Sequence, residues 1–219
     1  MNRDRSLIHS KAQGFFENIW KDGDFWDFES SAFERAKYDR LLGLLGGRRY
    51  PRALEIACGG GAFTRRIAPL CDSVLGVDIA PSAVERAQRA AGGAGHLEFR
   101  VANAMEMDLK AEGPWDLIVI SEVIYYFGWL YTFFEVGWFA AQAVESLRPG
   151  GRLLLVSTCG GTQDYLLSRW HVRTYRDLFL NVGCNLDSEE IHRGEKNGVT
   201  IDALFSLFSK PSGWELPRP

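Results

Sequence analysis

A glycine-rich turn follows the first strand-like segment of the sequence and is the first candidate for binding chemistry. Glu55 lies within that segment, and Gly59 and Gly61 follow it where a helix-like segment begins. Glycines at such a turn let the backbone approach a ligand closely. A dinucleotide-binding fingerprint would need a third glycine at position 64, which is Thr64. A nicotinamide oxidoreductase is therefore disfavoured, and the turn serves either another cofactor or helix packing.

An acidic residue ends the second strand-like segment, seventeen positions beyond Gly61. This residue is Asp78, followed by Ile79. A carboxylate at this position can accept both hydroxyl protons of an adenosine ribose. The alternative is that Asp78 caps the helix that begins near Pro81. Its place after the glycine turn favours ligand binding.

Candidate catalytic groups lie in later segments. Group transfer to a hydroxyl usually needs a general base, and an amine must lose a proton to expose its lone pair. The residues we consider for this role are His171 and Glu122, with Asp164 as a weaker candidate. His171 has the alternative role of capping or packing the helix in which it lies. Tyr125 is a third catalytic candidate because it follows Glu122 closely.

Aromatic residues are concentrated after the fourth strand-like segment. Their rings are suited to lining a ligand pocket and to cation–π contact with a positively charged group. Packing in the core is the alternative for most of them, and it is the interpretation we favour for Phe133, Phe134 and Phe139. The predicted substrate-binding residues are Tyr125, Tyr126, Trp129 and Tyr175.

Strand-like and helix-like segments alternate along the chain. Short runs of Val, Ile and Leu predict parallel strands that are covered on both faces, at residues 53–58, 73–78, 97–101, 116–121 and 152–158. The alternation predicts a doubly wound sheet with right-handed crossovers. Asn197-Gly198 is a turn signal, and the segments on either side predict an antiparallel hairpin at the sheet edge.

Helix boundaries can also be proposed from the sequence. Ser31 with Glu34, and Ser82 with Glu85, have the spacing of capping boxes. Residues 123–147 are the one apolar stretch long enough to test for membrane insertion, but Glu135 and Glu145 interrupt it. We interpret this stretch as a buried helix.

Composition narrows the class of protein. The 219 residues carry 25 Lys and Arg against 28 Asp and Glu, so the net charge of −3 argues against a surface that binds nucleic-acid phosphates. The four cysteines lie far apart, which predicts neither a zinc cluster nor a disulfide framework. The first 21 residues lack the pattern of a secretory signal, so we expect a cytoplasmic protein.

The motifs and their order resemble those of class I S-adenosyl-L-methionine-dependent methyltransferases. The acidic residue and glycine turn match except that Ala57 replaces the family's first glycine, and the Asn103-Ala104 step stands where Asp-Ala is commoner. The resemblance implies S-adenosyl-L-methionine as cofactor, with S-adenosyl-L-homocysteine as its product. The implied cofactor-binding residues are Tyr38, Glu55, Ala57, Gly59, Gly61, Asp78, Ile79, Asn103, Ala104, Ser121 and Glu122.

A closer resemblance is to the family of the nodulation methyltransferase NodS. It rests on residues 25–38, 55–63 and 121–126 and covers about residues 15 to 210. Members named for NodS are implied to N-methylate an amino sugar of a lipochitooligosaccharide precursor. The N-terminal helix is predicted to be a lid, whose Trp26, Lys37 and Tyr38 match the resemblance and in which Lys37 or Arg35 could pair with the cofactor carboxylate. A solvated helix face is the alternative explanation of these charges.

These observations together predict one α/β domain over residues 1–219, with a doubly wound, Rossmann-like, seven-stranded sheet. The predicted parts are a helical lid at 1–47, a cofactor-binding core at 53–158, and a substrate-side helix with a closing hairpin at 159–210. The predicted function is methyl transfer to a small-molecule acceptor, with an amine favoured over a hydroxyl. A non-catalytic cofactor-binding scaffold is the alternative from another class. We expect a monomer or homodimer, with no metal, nucleic-acid or membrane partner.

Overall fold

A seven-stranded sheet forms the centre of the protein. The computed structural model describes residues 4–161 and 164–216. The strands are β1 Tyr50–Ile56, β2 Cys71–Asp78, β3 Leu97–Val101, β4 Trp115–Ser121, β5 Leu147–Gly160, β6 Asn185–Lys196 and β7 Val199–Ser209. Their order is β3-β2-β1-β4-β5-β7-β6, in which β7 lies antiparallel to both of its neighbours. The predicted doubly wound sheet with an antiparallel C-terminal hairpin is confirmed.

Within residues 4–161 and 164–216, eight helices connect or cover these strands. They are α1 Arg5–Trp20, α2 Ala32–Leu45, α3 Ala62–Ile67, α4 Pro81–Ala91, α5 Leu109–Glu112, α6 Ile124–Leu130, α7 Phe133–Ser146 and α8 Arg169–Asn181. A short 3-10 turn, Tyr165–Leu167, precedes α8. Residues 1–3 of the predicted lid lie outside the described residues.

The apolar runs of the strands are buried because helices cover both faces of the sheet. On one face, α6, α7 and α8 pack over Leu54, Ile118 and Leu155. On the other face, α2 and α3 pack over alternate residues of the same strands, such as Leu117 and Val119. This two-sided burial explains why near-continuous apolar runs identified the central strands.

The predicted single helix over residues 123–147 is wrong. The chain breaks into α6 and α7 at Thr132, whose side chain accepts the Glu135 backbone amide while the Glu135 carboxylate accepts the Thr132 amide. This capping box starts a new helix and turns its first residues outward. Phe133 and Phe134 are therefore 57% and 79% exposed, which contradicts their predicted place in the core, whereas Phe139 is buried as expected.

The predicted capping box of α4 is also wrong. The amide and hydroxyl of Ser82 both donate to the Glu17 carboxylate of α1, and Ala80 is the N-cap of α4 without a side-chain bond. Ser31 does cap α2, with its hydroxyl 3.5 Å from the Glu34 amide. A tertiary contact with α1 thus replaces a local cap and ties α1 to the carboxyl end of β2.

Two further predictions concern membranes and metals. Within the described part of the chain, no helix has the length and apolar character to cross a membrane. No cluster of His, Cys, Asp or Glu suited to a metal ion occurs among these residues either.

Candidate active site

A cavity of about 370 Å³ lies at the carboxyl ends of β1, β2 and β4. Its floor is the glycine turn and the strand ends, and α1, α2 and the segment between them form the opposite wall. This is the end of a doubly wound sheet at which ligands bind, and the volume is typical of a small-molecule site.

The glycine turn and the end of β2 form one unit in the floor of this cavity. The Gly59 amide donates to one oxygen of Asp78 at 2.9 Å, and the Ala80 amide donates to the other at 2.9 Å. Each carboxylate oxygen has a further lone pair, and Asp78 lines the cavity. Burial raises the pKa of Asp78, while the amides of Ala80 and Gly59 oppose that effect.

Close approach by other residues explains the glycine at position 59. Its φ is +52°, and a Cβ there would lie 2.7 Å from the Trp20 ring at the end of α1. Ala57 also has a positive φ, of +59°, although it is not glycine. The turn is therefore strained at Ala57 and closely covered at Gly59.

Thr64 has a structural role that the sequence did not reveal. Its hydroxyl donates to the carboxyl group of Glu55, which is 2% exposed at the cavity floor. Burial raises the pKa of Glu55 to about 8, although the Thr64 hydrogen bond partly opposes the rise. Glu55 is therefore mostly protonated at pH 7, and it adds no full negative charge beside Asp78.

The segment after β3 closes the next part of the wall. The Asn103 amide nitrogen donates to the Tyr131 hydroxyl at 2.8 Å, and its carbonyl oxygen accepts the Met105 amide at 3.1 Å. Asn103 and Ala104 line the cavity, as does Ile79. Hydrogen bonds within the protein thus position this part of the wall.

Glu122 directly follows β4, on the opposite side of the cavity from β2, which ends at Asp78. One carboxylate oxygen lies 3.1 Å from the Lys37 ammonium. The other accepts the Thr158 amide at 2.7 Å and the Tyr125 hydroxyl at 3.2 Å. Its φ of +55° directs the side chain back over the strand end. Ser121 lines the cavity beside it.

Aromatic rings complete this side of the cavity. Tyr125 and Tyr126 line it, with ring centroids 4.8 Å apart. Phe16 of α1 meets the Tyr126 ring edge-to-face at 5.0 Å. Tyr38 of α2 also lines the cavity and stacks on Phe63 at 5.2 Å.

Four predicted site residues lie outside the cavity wall. Gly61 has a φ of +74° and packs under Ala87 and Phe99, each of which would lie 3.0 Å from an added Cβ. Trp129 is 53% exposed and packs against Phe15 on the surface. His171 contacts the Leu166 carbonyl oxygen at 3.1 Å and the Tyr175 hydroxyl at 3.2 Å, so both of its ring nitrogens have protein partners. Tyr175 in turn lies against Gly128, where an added Cβ would be 1.7 Å from the hydroxyl oxygen. His171 and Tyr175 therefore pack against α6 and do not face the cavity.

Two lysines at the site were missed as ion-pair partners of buried carboxylates, Lys37 beside Glu122 and Lys196 beside Glu34. Lys37 was considered only for the cofactor carboxylate, and Lys196 was not considered. A signal for Lys37 does exist, since helical spacing places it on the same face of α2 as Phe33 and Leu41, which are buried. A lysine on an apolar face implies a buried partner.

Comparison with known proteins shows the family to which this chain belongs. The family model for nodulation protein S, NodS, matches residues 12–174. The chain belongs to the NodS family. It is 31% identical over 192 residues to nodulation protein S of Rhizobium tropici, a match that covers 86% of this chain and 76% of that protein.

A solved structure supports the same relationship. The crystal structure of the N-methyltransferase NodS from Bradyrhizobium japonicum WM9, in complex with S-adenosyl-L-homocysteine, matches with a TM-score of 0.76 and 25% identity. The match covers 91% of this chain and 98% of that chain. These relatives confirm the predictions of family, methyltransferase class and cofactor.

Proposed function

We propose that this NodS family protein transfers the methyl group of S-adenosyl-L-methionine to an amine of a small-molecule acceptor. The observation that carries the proposal is the arrangement of one cavity. The amide-held carboxylate of Asp78 lies in its floor, and the carboxylate of Glu122 lies across from it among aromatic rings. The first suits a nucleoside hydroxyl pair, and the second suits a centre where positive charge develops.

The cofactor half of the cavity suits an adenosine group. Lone pairs of Asp78 are available to the ribose hydroxyls, and Ile79, Asn103 and Ala104 line the wall proposed to hold adenine. The cofactor supplies a methyl group on a positively charged sulfur. Further proposed contacts come from residues around the turn and the lid, namely Tyr38, Glu55, Ala57, Gly59, Gly61, Ser121 and Glu122.

The acceptor half is proposed to lie at Glu122, Tyr125 and Tyr126. Because the Tyr125 hydroxyl donates its proton to Glu122, its oxygen can only accept a hydrogen bond from a ligand. It can therefore orient an acceptor N–H and direct the nitrogen lone pair at the methyl group. The negative charge of Glu122 stabilises the ammonium that forms, and alignment supplies much of the rate.

The residues behind the wall receive a supporting role in this proposal. His171 and Tyr175 connect the 3-10 turn at Tyr165–Leu167 with α6, which carries Tyr125. Both nitrogens of His171 are already in contact with protein groups, so we do not assign it the proton transfer. Trp129 is proposed to contact the acceptor at the rim through its exposed ring.

The lid, the compartment and the oligomeric state are further parts of the proposal. We propose that residues 4–47 act as a lid of the single domain, supported by Trp20, Phe28 and Lys37 on the cavity wall. We also propose a cytoplasmic monomer or homodimer. All four cysteines are buried and unpaired, which suits a reducing compartment.

A matched acceptor panel tests this function. Methyl glucosaminide and methyl glucoside differ in one amine, and an aromatic amine and its phenol form a second pair. With S-adenosyl-L-methionine labelled in its methyl group, we expect label on amines and not on their hydroxyl partners. Transfer to the hydroxyl partners alone, or no affinity for S-adenosyl-L-homocysteine by calorimetry, would overturn the proposal.

A further inference from the structure

Four charges of alternating sign, of which the middle two are buried, form a row from the acceptor side of the cavity to the tip of the C-terminal hairpin. Glu122 lies 3.1 Å from the Lys37 ammonium, and Lys37 lies 2.6 Å from Glu34. Glu34 also lies 2.6 Å from Lys196, at the end of β6. The side chains of Lys37 and Glu34 are 1% and 4% exposed, so these contacts are shielded from solvent.

The order of charges decides which carboxylate depends on which lysine. Glu34 is shared between two cations, Lys37 and Lys196. Glu122 has Lys37 as its ion-pair partner in the described residues. Lys196 is held in place by a second contact, 2.5 Å from the Trp26 carbonyl oxygen. Loss of Lys37 would therefore leave Glu34 paired and Glu122 unpaired.

The other groups that face Glu122 cannot replace the lysine. The Thr158 amide of β5 and the Tyr125 hydroxyl of α6 are neutral donors. Tyr38 and Tyr126 are neutral phenols, and the pKa of each is raised by burial and by nearby carboxylates. Asp164, which precedes the 3-10 turn before α8, adds negative charge near Tyr125. Lys37 is the group that supplies a full positive charge here.

We propose that Lys37 is a positioning residue for methyl transfer, which keeps Glu122 ionised and fixed beside the acceptor. This inference rests on the proposed function, because Glu122 is useful there only as a carboxylate. A protonated Glu122 would lose the charge that stabilises the acceptor ammonium. Its own proton could also be donated to the Tyr125 oxygen, which would then be less available to accept the acceptor N–H.

The electrostatics of the cluster support this role. Burial acts to raise the pKa of Glu122, yet Lys37 and the Thr158 amide bring that pKa below its ordinary value. Burial likewise acts to lower the pKa of Lys37, but Glu122 and Glu34 raise it overall. Each partner therefore holds the other in its charged form. A buried carboxylate without such a partner takes up a proton near neutral pH.

The test is to observe the Glu122 carboxyl group directly. Protein labelled with ¹³C at the glutamate carboxyl carbon is titrated by NMR, and the Glu122 signal is assigned with Glu122→Gln. In the wild type we expect no proton uptake by Glu122 between pH 5 and 9. In Lys37→Met we expect uptake within this range, a rise in pKa of at least about two units. Lys196→Met is the control, in which Glu122 keeps Lys37 and stays ionised above pH 5.

Each outcome bears on the proposal. A Glu122 signal that titrates above pH 5 in the wild type would overturn it, and this arm needs no Lys37 variant, only Glu122→Gln for the assignment. A Lys37→Met protein that keeps Glu122 ionised throughout, or a Lys196→Met protein that shifts Glu122 as far, would overturn it as well. With an accepted amine in hand, Lys37→Met should lose at least about tenfold in rate at pH 7 and recover above the new pKa. A failure to methylate any acceptor would refute the proposed function but leave the titration unchanged, so the two failures are distinguishable.

Discussion

The backbone amide of Gly59 donates a 2.9 Å hydrogen bond to the Asp78 carboxylate, which joins the glycine turn to the end of β2. The two residues are nineteen positions apart, and the parallel pairing of β1 with β2 brings them together. The Gly59 and Ala80 amides each bond one oxygen of the carboxylate and fix its orientation at the cavity wall, and each oxygen keeps a further lone pair. The turn thus positions the group proposed to bind ribose.

Gly59→Ala should destabilise the protein more than a left-handed backbone alone requires. An added Cβ would meet the Trp20 ring at 2.7 Å as well as adopt a φ of +52°. We expect a loss of about 3 kcal/mol in the free energy of unfolding. Gly47→Ala is the matched control, because its φ is +65° but nothing lies within 4 Å, and it should cost about 1 kcal/mol. Equal losses in urea unfolding would contradict the close packing of Trp20 on the turn.

Glu55→Gln should change how stability depends on pH. The unfolded chain releases the Glu55 proton near its ordinary pKa of 4.5, whereas the folded protein holds it up to about 8. Between these values the folded state binds more protons, so the wild type loses about 1.4 kcal/mol of stability per pH unit from this group as pH rises. The glutamine side chain of Glu55→Gln does not titrate, so the variant lacks this pH-dependent contribution to stability. Urea unfolding at pH 5, 6.5 and 8 should show a growing advantage for Glu55→Gln, and parallel curves would refute the buried acid.

Gly128→Ala should displace Tyr175 and disturb the wall that carries Tyr125. The new Cβ would lie 1.7 Å from the Tyr175 hydroxyl oxygen, so α6 or α8 must move, at a cost of about 2 kcal/mol. Gly137→Ala is the control on α7, because its Cβ would meet Leu178 at an ordinary 3.8 Å. That variant should gain up to about 1 kcal/mol from helix propensity. Thermal unfolding compares the two, and a stabilised Gly128→Ala would disprove the contact.

Asp202→Asn should weaken the junction of α8 with the C-terminal hairpin. Arg193 and Arg169 both bind this carboxylate, and together they lower its pKa to about 2 against burial. The carboxylate is 8% exposed, so its stabilisation is present above its ordinary pKa of 3.8 and is lost as pH falls towards 2. At pH 7 the substitution should cost about 2 kcal/mol, and the difference from wild type should vanish near pH 2.

A surface ion pair provides the comparison for that variant. Asp72 contacts Arg49, but their side chains are 60% and 63% exposed. Asp72→Asn should therefore leave the unfolding free energy nearly unchanged at pH 7. If it were as costly as Asp202→Asn, burial would not be the source of the Asp202 effect.

The central strands and the cofactor side of the site could be predicted from the sequence because their signals are local. Buried parallel strands produce apolar runs, and the glycine turn and Asp78 each end such a run. The break at Thr132 was also local, since Thr132 and Glu135 have capping-box spacing, but the apolar run across it was interpreted as one helix. The residues next to the break were therefore sufficient to predict it.

The acceptor side could not be predicted in the same way, because its geometry depends on contacts between distant segments. Lys37 meets Glu122 across 85 positions, and Ser82 meets Glu17 across 65. His171 was chosen for its residue type, while its orientation towards Leu166 and Tyr175 follows from how α8 packs. Residue type indicates which chemistry is available, and tertiary packing decides which groups face the cavity.

Binding of S-adenosyl-L-homocysteine to Asp78→Ala, compared with wild type, tests the central claim most directly. Calorimetry at pH 7 should show one site in the wild type and a loss of affinity of at least about tenfold in Asp78→Ala, because two charge-assisted hydrogen bonds are removed. Asp72→Asn, on the same strand and far from the cavity, should bind as the wild type does. Equal affinity in wild type and Asp78→Ala would contradict the account.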